Sequence, residues 1–315
     1  MNSTMFSAVE AYLRDRRQLG YQLLIEGQEL ERFARYADET GHVGPLTTEL
    51  ALRWAQLPVA ADPLYRARRL DMVRRFAKHQ IMHDLRTEVP PSGVLGPAYR
   101  RVPVHIYTPQ EISALLEETG RLGPSGGLRP HTYRTLFGLL ACTGLRISEA
   151  LRLARLDVDF DAGMLTIRNT KFHKSRLVPI HVSAVKELRE YALRRDNYLP
   201  LSTSPKFFLT EFGTALKYWR ALMTFLALRN ALGWEEFRPV PRIHDLRHTF
   251  AVRTLLGWYE EEASIGNRIV ALATYLGHVK VSDTYWYLSA APELLAAAGA
   301  RFEDSRWHHS GGKGI

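Results

Sequence analysis

The sequence predicts a mainly α protein with a small antiparallel β-sheet, divided into two domains. Three observations carry that prediction. Apolar residues recur at helical spacing through most of the 315 residues. Between 156 and 180 the period changes to that of short strands. Around 91–104 a block rich in Pro and Gly interrupts both patterns, dividing the chain into parts of about 90 and about 210 residues, ordinary domain sizes.

Residues 5–40 read as helix in two pieces. Phe6, Val9, Tyr12 and Leu13 form one stripe, and Leu23, Leu24, Leu30, Phe33 and Tyr36 another after a break at Gly20 and Tyr21. Thr47, Thr48 and Glu49 start the next helix ahead of Ala51, Leu52 and Trp54. Asp62 and Pro63 open the most basic helix of the chain, with Arg66, Arg68, Arg69, Arg74, Arg75 and Lys78 around an apolar side of Leu70, Val73, Phe76 and Ala77. That charge fits either a solvated face or a helix laid against DNA phosphates. The linker, 91–104, adds Arg100 and Arg101.

The second domain opens at Thr108, Pro109, Gln110 and Glu111, a strong helix start with a cap, Pro in the first turn and an acid. The apolar run HTYRTLFGLLACTG ends at Gly144, and LRISEALRLA resumes as helix. Val158, Phe160, Leu165, Ile167, Leu177, Val178 and Ile180 predict two or three strands, with a hairpin turn from 169 to 175. Helices follow over VSAVKELREYALRR, GTALKYWRALMTFLALRNALG, the stretch from Ile243, and 263–276, with another over LLAAAGARF. The tail, 301–315, reads as disordered.

Composition narrows the function classes. Hydrophobic residues at 46% support real cores, and a formal charge of +9 with pI near 9.7 favours a polyanion, with an anionic membrane surface as the competing partner. No apolar run is long enough to cross a bilayer, and the N-terminus lacks the charge and apolar order of a signal peptide. The single Cys142 rules out an internal disulfide and suits the reducing cytoplasm. Neither a Walker-A loop nor GxGxxG appears, and no Cys/His group has zinc spacing, so no cofactor and no metal are expected.

Five places in the second domain offer charge or proton-transfer groups. Arg146 follows a helix-ending Gly. Lys171 and Lys174 sit at the hairpin tip, where a long-stemmed lysine can reach into a site as a general acid. His244, Arg247 and His248 share one helix face, with Leu246 and Phe250 as anchors. His278 follows Leu276 and Gly277, and Tyr285, Trp286 and Tyr287 form an aromatic run. Singly, each is more often an ordinary surface or core residue. As a set they differ: two guanidiniums can clamp one phosphate, imidazoles and a lysine can move protons, and a phenol can attack phosphorus. The arginines would do the charge work that other phosphoryl-transfer enzymes give to metal ions.

The ordered motifs TGLRISEAL, a strand–Lys–strand segment ending RLVPI, HDLRHTFA, LGH and a Tyr nine residues beyond that His resemble the tyrosine recombinase (phage integrase, XerC/XerD-like) family over roughly 140 residues. The N-terminal 90 residues resemble its helical core-binding domain more loosely. The resemblance implies domains at 1–90 (DNA-binding) and 105–300 (a mixed α/β catalytic domain of the integrase type). It implies a site-specific recombinase that cleaves and rejoins DNA through a 3′-phosphotyrosyl intermediate without metal or ATP. Arg146 and Arg247 would grip the scissile phosphate, Lys171 would protonate the 5′-hydroxyl leaving group with Lys174 as the alternative, and His244 and His278 would bind the phosphate. Tyr287 would attack, with Tyr285 as the alternative. Glu149 and Asp245 would orient neighbours, and His248 would bond a helix end. DNA contacts would come from Arg66, Arg68, Arg69, Arg74, Arg75, Lys78, Arg100, Arg101, Lys174 and Arg176. The implied partners are double-stranded DNA at recombination sites and further protomers, a dimer per site and a tetramer in the synapse. The apolar segment 294–298 is the candidate for docking on a neighbour, with packing inside its own chain as the alternative. Such an enzyme would belong to a mobile element. A type IB topoisomerase and a DNA-binding relative without cleavage remain the alternatives.

Overall fold

A computed structural model describes residues 4–100, 102–168, 175–261 and 265–290. The chain divides into two compact units, Met1–Val102 and Pro103–Ile315. Arg101, the hairpin tip with Lys171 and Lys174, the segment 294–298 and the tail lie outside the described residues.

The first unit holds four helices: α1 (Met5–Gln18), α2 (Leu24–Glu39), α3 (Thr48–Gln56) and α4 (Pro63–Gln80). Polar caps start three of them. Thr4 accepts from Ser7 N, Thr47 from Leu50 N, and Asp62 from Leu64 N, each satisfying an amide that the helix leaves unpaired. Val9, Leu13, Leu30, Phe33, Leu50, Trp54, Val73 and Phe76 close one core between them. Each such side chain contributes about 1.5–3 kcal/mol through burial. The Pro/Gly-rich stretch read as a linker returns to α4 over its first part. Arg74 Nε donates to Pro90 O and Arg68 Nε to Ala98 O, while Val89 and Leu95 pack on the core.

The second unit contains α5 (Pro109–Glu118), α6 (Arg129–Thr143), α7 (Ile147–Arg152), β1 (Val158–Asp159), β2 (Met164–Ile167), β3 (Arg176–Pro179), α8 (Val182–Tyr198), α9 (Tyr218–Ala231), α10 (Ile243–Glu260), α11 (Ile265–Leu276) and α12 (Ser282–Ala290). The fold is mostly helical with a three-stranded antiparallel sheet in the order β1-β2-β3, as expected. Leu165 pairs with Val178, and Ile167 with Arg176. Thr108 and Glu111 form the reciprocal cap that starts α5. The buried α6 carries Leu136, Phe137, Leu139 and Leu140 into the main core.

Two elements are shorter than their patterns suggested. Gly213 takes φ +72 and turns the chain, so Leu209 and Ala215 pair as a β-bridge and α9 starts only at Tyr218. Leu145 and Arg146 do not continue a helix, because Arg146 is extended (ψ 140) as the N-cap of the six-residue α7.

Candidate active site

Gly144 ends α6 in the left-handed conformation, φ +61, and a Cβ there would lie 2.5 Å from the Phe250 ring. That close approach seats α10 against the α6–α7 turn and brings Arg146 and Arg247 to one place. Arg247 is 2% exposed, unusual for a guanidinium, yet two of its donors are satisfied by backbone carbonyls: Nη1 gives to Gly144 O and Nη2 to Leu276 O, both at 2.8 Å. Arg146, half-buried, reaches the same Leu276 O at 3.4 Å and Gly277 O at 3.2 Å. The last carbonyls of α11, the negative end of its dipole, therefore hold both arginines.

Glu149 stands behind Arg146. Its carboxylate accepts from Arg146 N and Nη1, both at 3.0 Å, and from Arg176 Nη1 and Nη2 at 3.1 and 2.9 Å. Burial, the largest single influence, raises its pKa, but the bonds and charges of Arg176 and Arg146 together outweigh it and hold the acid at about 2. Burial lowers Arg247 to about 10, and the neighbouring charge of Arg146 adds to the effect. Among the described residues, then, positive charge crowds one corner and an anion would relieve it.

Three imidazoles line this corner. His244 opens to solvent, and its ring lies 4.6 Å from that of His248. Its pKa is lowered by desolvation first and then by Arg247. His248 is pushed down to about 3 by burial and then by His244. Its Nδ1 has no hydrogen-bond partner, so it packs on Trp286 and Tyr287 and makes no bond from that nitrogen to a helix end. His278 follows Gly277, whose φ of +69 turns the chain out of α11. Burial and then Arg247 lower it to about 4, and its Nδ1 lies 2.6 Å from Thr284 Oγ1. Thr284, which sequence reasoning passed over, is buried, and that pairing sets which face of the imidazole is presented.

The two tyrosines of α12 differ sharply. Tyr285 is 51% exposed, whereas Tyr287 is 2% exposed and stacks at 6.1 Å on His278. Burial raises the Tyr287 pKa, opposed by the charge and hydrogen bond of Arg247. Asp245 is fully buried and accepts from Arg242 N, Nε and Nη2, which fixes the first turn of α10. Thus Arg146, Glu149, His244, Arg247, His248, His278 and Tyr287 come together, and Asp245 supports them from the side.

The proposed DNA contacts sort differently. Arg75, Lys78, Arg68 and Arg100 are exposed. Arg66 donates to Pro58 O and Val59 O, so it also staples a loop to α4. Arg69 and Arg176 do not belong with the surface set. Arg69 is 7% exposed, stacked over Trp54 and paired with Glu29, and Arg176 is spent on Glu149 and Tyr275 O. A cation already desolvated and paired in this way does not reach a backbone phosphate without breaking that pair.

The chain matches the model of the phage integrase family over residues 106–293. It is 43% identical over 313 residues to the putative integrase/recombinase y4rB of Sinorhizobium fredii, covering 97% of this chain and 98% of that one. It is 29% identical over 240 residues to the tyrosine recombinase XerD of Caulobacter vibrioides, 75% of this chain and 73% of the relative. The fold is similar to the XerH site-specific recombinase bound to palindromic difH substrate, with TM-score 0.65, 18% identity and coverage of 94% and 84%. It is also similar to the Tn1549 transposon integrase in complex with circular intermediate DNA, with TM-score 0.66, 17% identity and coverage of 94% and 99%. Family and relatives define an enzyme that breaks and remakes DNA strands. The chain belongs to the phage integrase family, the tyrosine recombinases, and its activity is site-specific recombination.

Proposed function

We propose that Tyr287 is the nucleophile and that Arg146 and Arg247 clamp the scissile phosphate of duplex DNA. The observation that carries this is the meeting of both arginines on Leu276 O, beside a buried tyrosine that packs on two histidines. The phenol oxygen bonds to phosphorus as the bond to the 5′-oxygen breaks. Lys171, or Lys174, gives that oxygen a proton, and the phosphate charge is held by the two guanidiniums. His244 and His278, uncharged near neutral pH, donate to the phosphate oxygens, and one of these neutral imidazoles takes the proton that the phenol loses. A 5′-hydroxyl of another strand then attacks the phosphotyrosine and regenerates the phenol. Strand exchange requires protomers on two DNA sites, a dimer on each and a tetramer at the synapse, in the cytoplasm. Exposed Arg68, Arg75, Lys78 and Arg100 add phosphate contacts.

A duplex nicked near its cleavage site tests this by trapping the covalent intermediate. Wild-type protein is expected to form the adduct, and in EDTA as fully as in magnesium. Tyr287→Phe should abolish it while DNA binding persists, and Tyr285→Phe should retain it. An adduct surviving in Tyr287→Phe transfers the role to Tyr285, and a strict magnesium requirement contradicts the arginine-based chemistry.

A further inference from the structure

Arg176 was expected to face DNA, yet every nitrogen of its guanidinium is engaged inside the protein. Nε donates to Tyr275 O at 2.8 Å, and Nη1 and Nη2 grip Glu149. Its side chain is 11% exposed. The group also lies against Gly277, where a Cβ would come within 2.6 Å of Nη1. Arg146 also rests on Glu149 and Gly277 O, besides Leu276 O. Arg176 therefore stands directly behind the outer arm of the clamp and lies against two of its three supports, Glu149 and Gly277.

The charges give this placement a purpose. A buried carboxylate bonded to Arg146 orients it well, but by itself would cancel much of the charge meant for the phosphate. A second guanidinium on the same carboxylate restores the positive excess. The bidentate geometry suits arginine and not lysine.

We infer that Arg176 is a positioning residue of the phosphate clamp: it holds and charge-balances Glu149, so that Glu149 aims Arg146 without neutralising it. The inference rests on the assignment of Arg146 to the scissile phosphate.

Single-turnover adduct formation on the nicked duplex, at saturating DNA, tests it. Arg176→Met is expected to slow the step by about 10–100-fold, the scale on which partners behind a reacting group act. Adding Glu149→Gln should recover part of that loss, because the uncompensated carboxylate is then gone. A merely structural role predicts the reverse, a double variant slower than either single one. The salt dependence of DNA affinity should be unchanged in Arg176→Met, whereas a slope reduced by about one marks a direct phosphate contact and overturns the inference. Where the methionine variant does not fold, Arg176→Gln carries the same comparison, since it keeps hydrogen bonding without charge. Rates within twofold of wild type, or no recovery in the double variant, also overturn it. If wild-type protein forms no adduct, the assignment of the clamp has failed. If it does and the Arg176 variants match it, only this inference has failed.

Discussion

Arg247 gives one N–H from each terminal nitrogen to a backbone carbonyl, which leaves its Nε–H and two further N–H groups uncommitted to those carbonyls. An arginine fixed in this way is preorganised for an oxyanion, and lysine cannot reproduce it. Arg247→Lys is expected to slow adduct formation by roughly 10²–10³, the scale for one preorganised donor. A loss under tenfold would sink the role. Gly277 offers a second test at this scale. Alanine there meets both a left-handed φ, costing about 1–2 kcal/mol, and the Arg176 guanidinium. Gly126 has φ +75 with nothing near its missing Cβ, so Gly126→Ala carries strain alone. Both variants should melt at lower temperature than wild type, and only Gly277→Ala should also lose cleavage.

The helices α10, α11 and α12 meet at a cluster of uncharged imidazoles, and this makes the element pair-wise packing sensitive to acid. His244, His248 and His278 are all lowered from an unfolded value near 6.5, the latter two to about 3 and 4. Between those values the unfolded chain binds more protons than the folded one, so stability falls as pH falls through that window. The groups facing the cluster are mainly cationic, namely Arg146, Arg242 and Arg247, with Asp245 and Asp283 opposing. Glu149, held at about 2, adds a further loss of stability only below its ordinary value of 4.5. Thermal melts of the free protein should therefore drop steadily from pH 7 to pH 5, and His248→Phe, which cannot be protonated, should flatten the drop. An unchanged slope in that variant would remove His248 from the account. The elements themselves were largely readable: Gly144 and Gly277 mark two helix ends, and Thr108 with Glu111 marks a start. The length of α9 was not, because the β-bridge between Leu209 and Ala215 is a pairing that local periodicity does not encode.

At the scale of the whole molecule, the described core residues fall on either side of Val102 and Pro103, one cluster in the first unit and two in the second. Each unit is large enough to fold alone, so fragments cut there should each melt cooperatively, and both should bind DNA with a shallower salt dependence than the intact chain. A steep slope retained by one fragment would assign the phosphate contacts to it alone. The net charge of +9 pointed to a polyanion without saying which cations serve it. The candidate set was readable as a candidate because motif order fixes residue types along the chain. The division of labour among arginines was not. Nothing in a run of letters distinguishes Arg75, open to solvent, from Arg69, six positions earlier and stacked on Trp54, since burial depends on which helix covers which face.

The two arginines of the proposed clamp hang on Gly144 O, Leu276 O and Gly277 O, and a carbonyl is the one acceptor that every amino acid supplies. Mutational drift at position 276 can therefore exchange one apolar side chain for another without loosening the grip, provided the helix still ends where it does. What selection has to preserve there is the path of the chain, and the letters that guard it are the glycines that allow the turns.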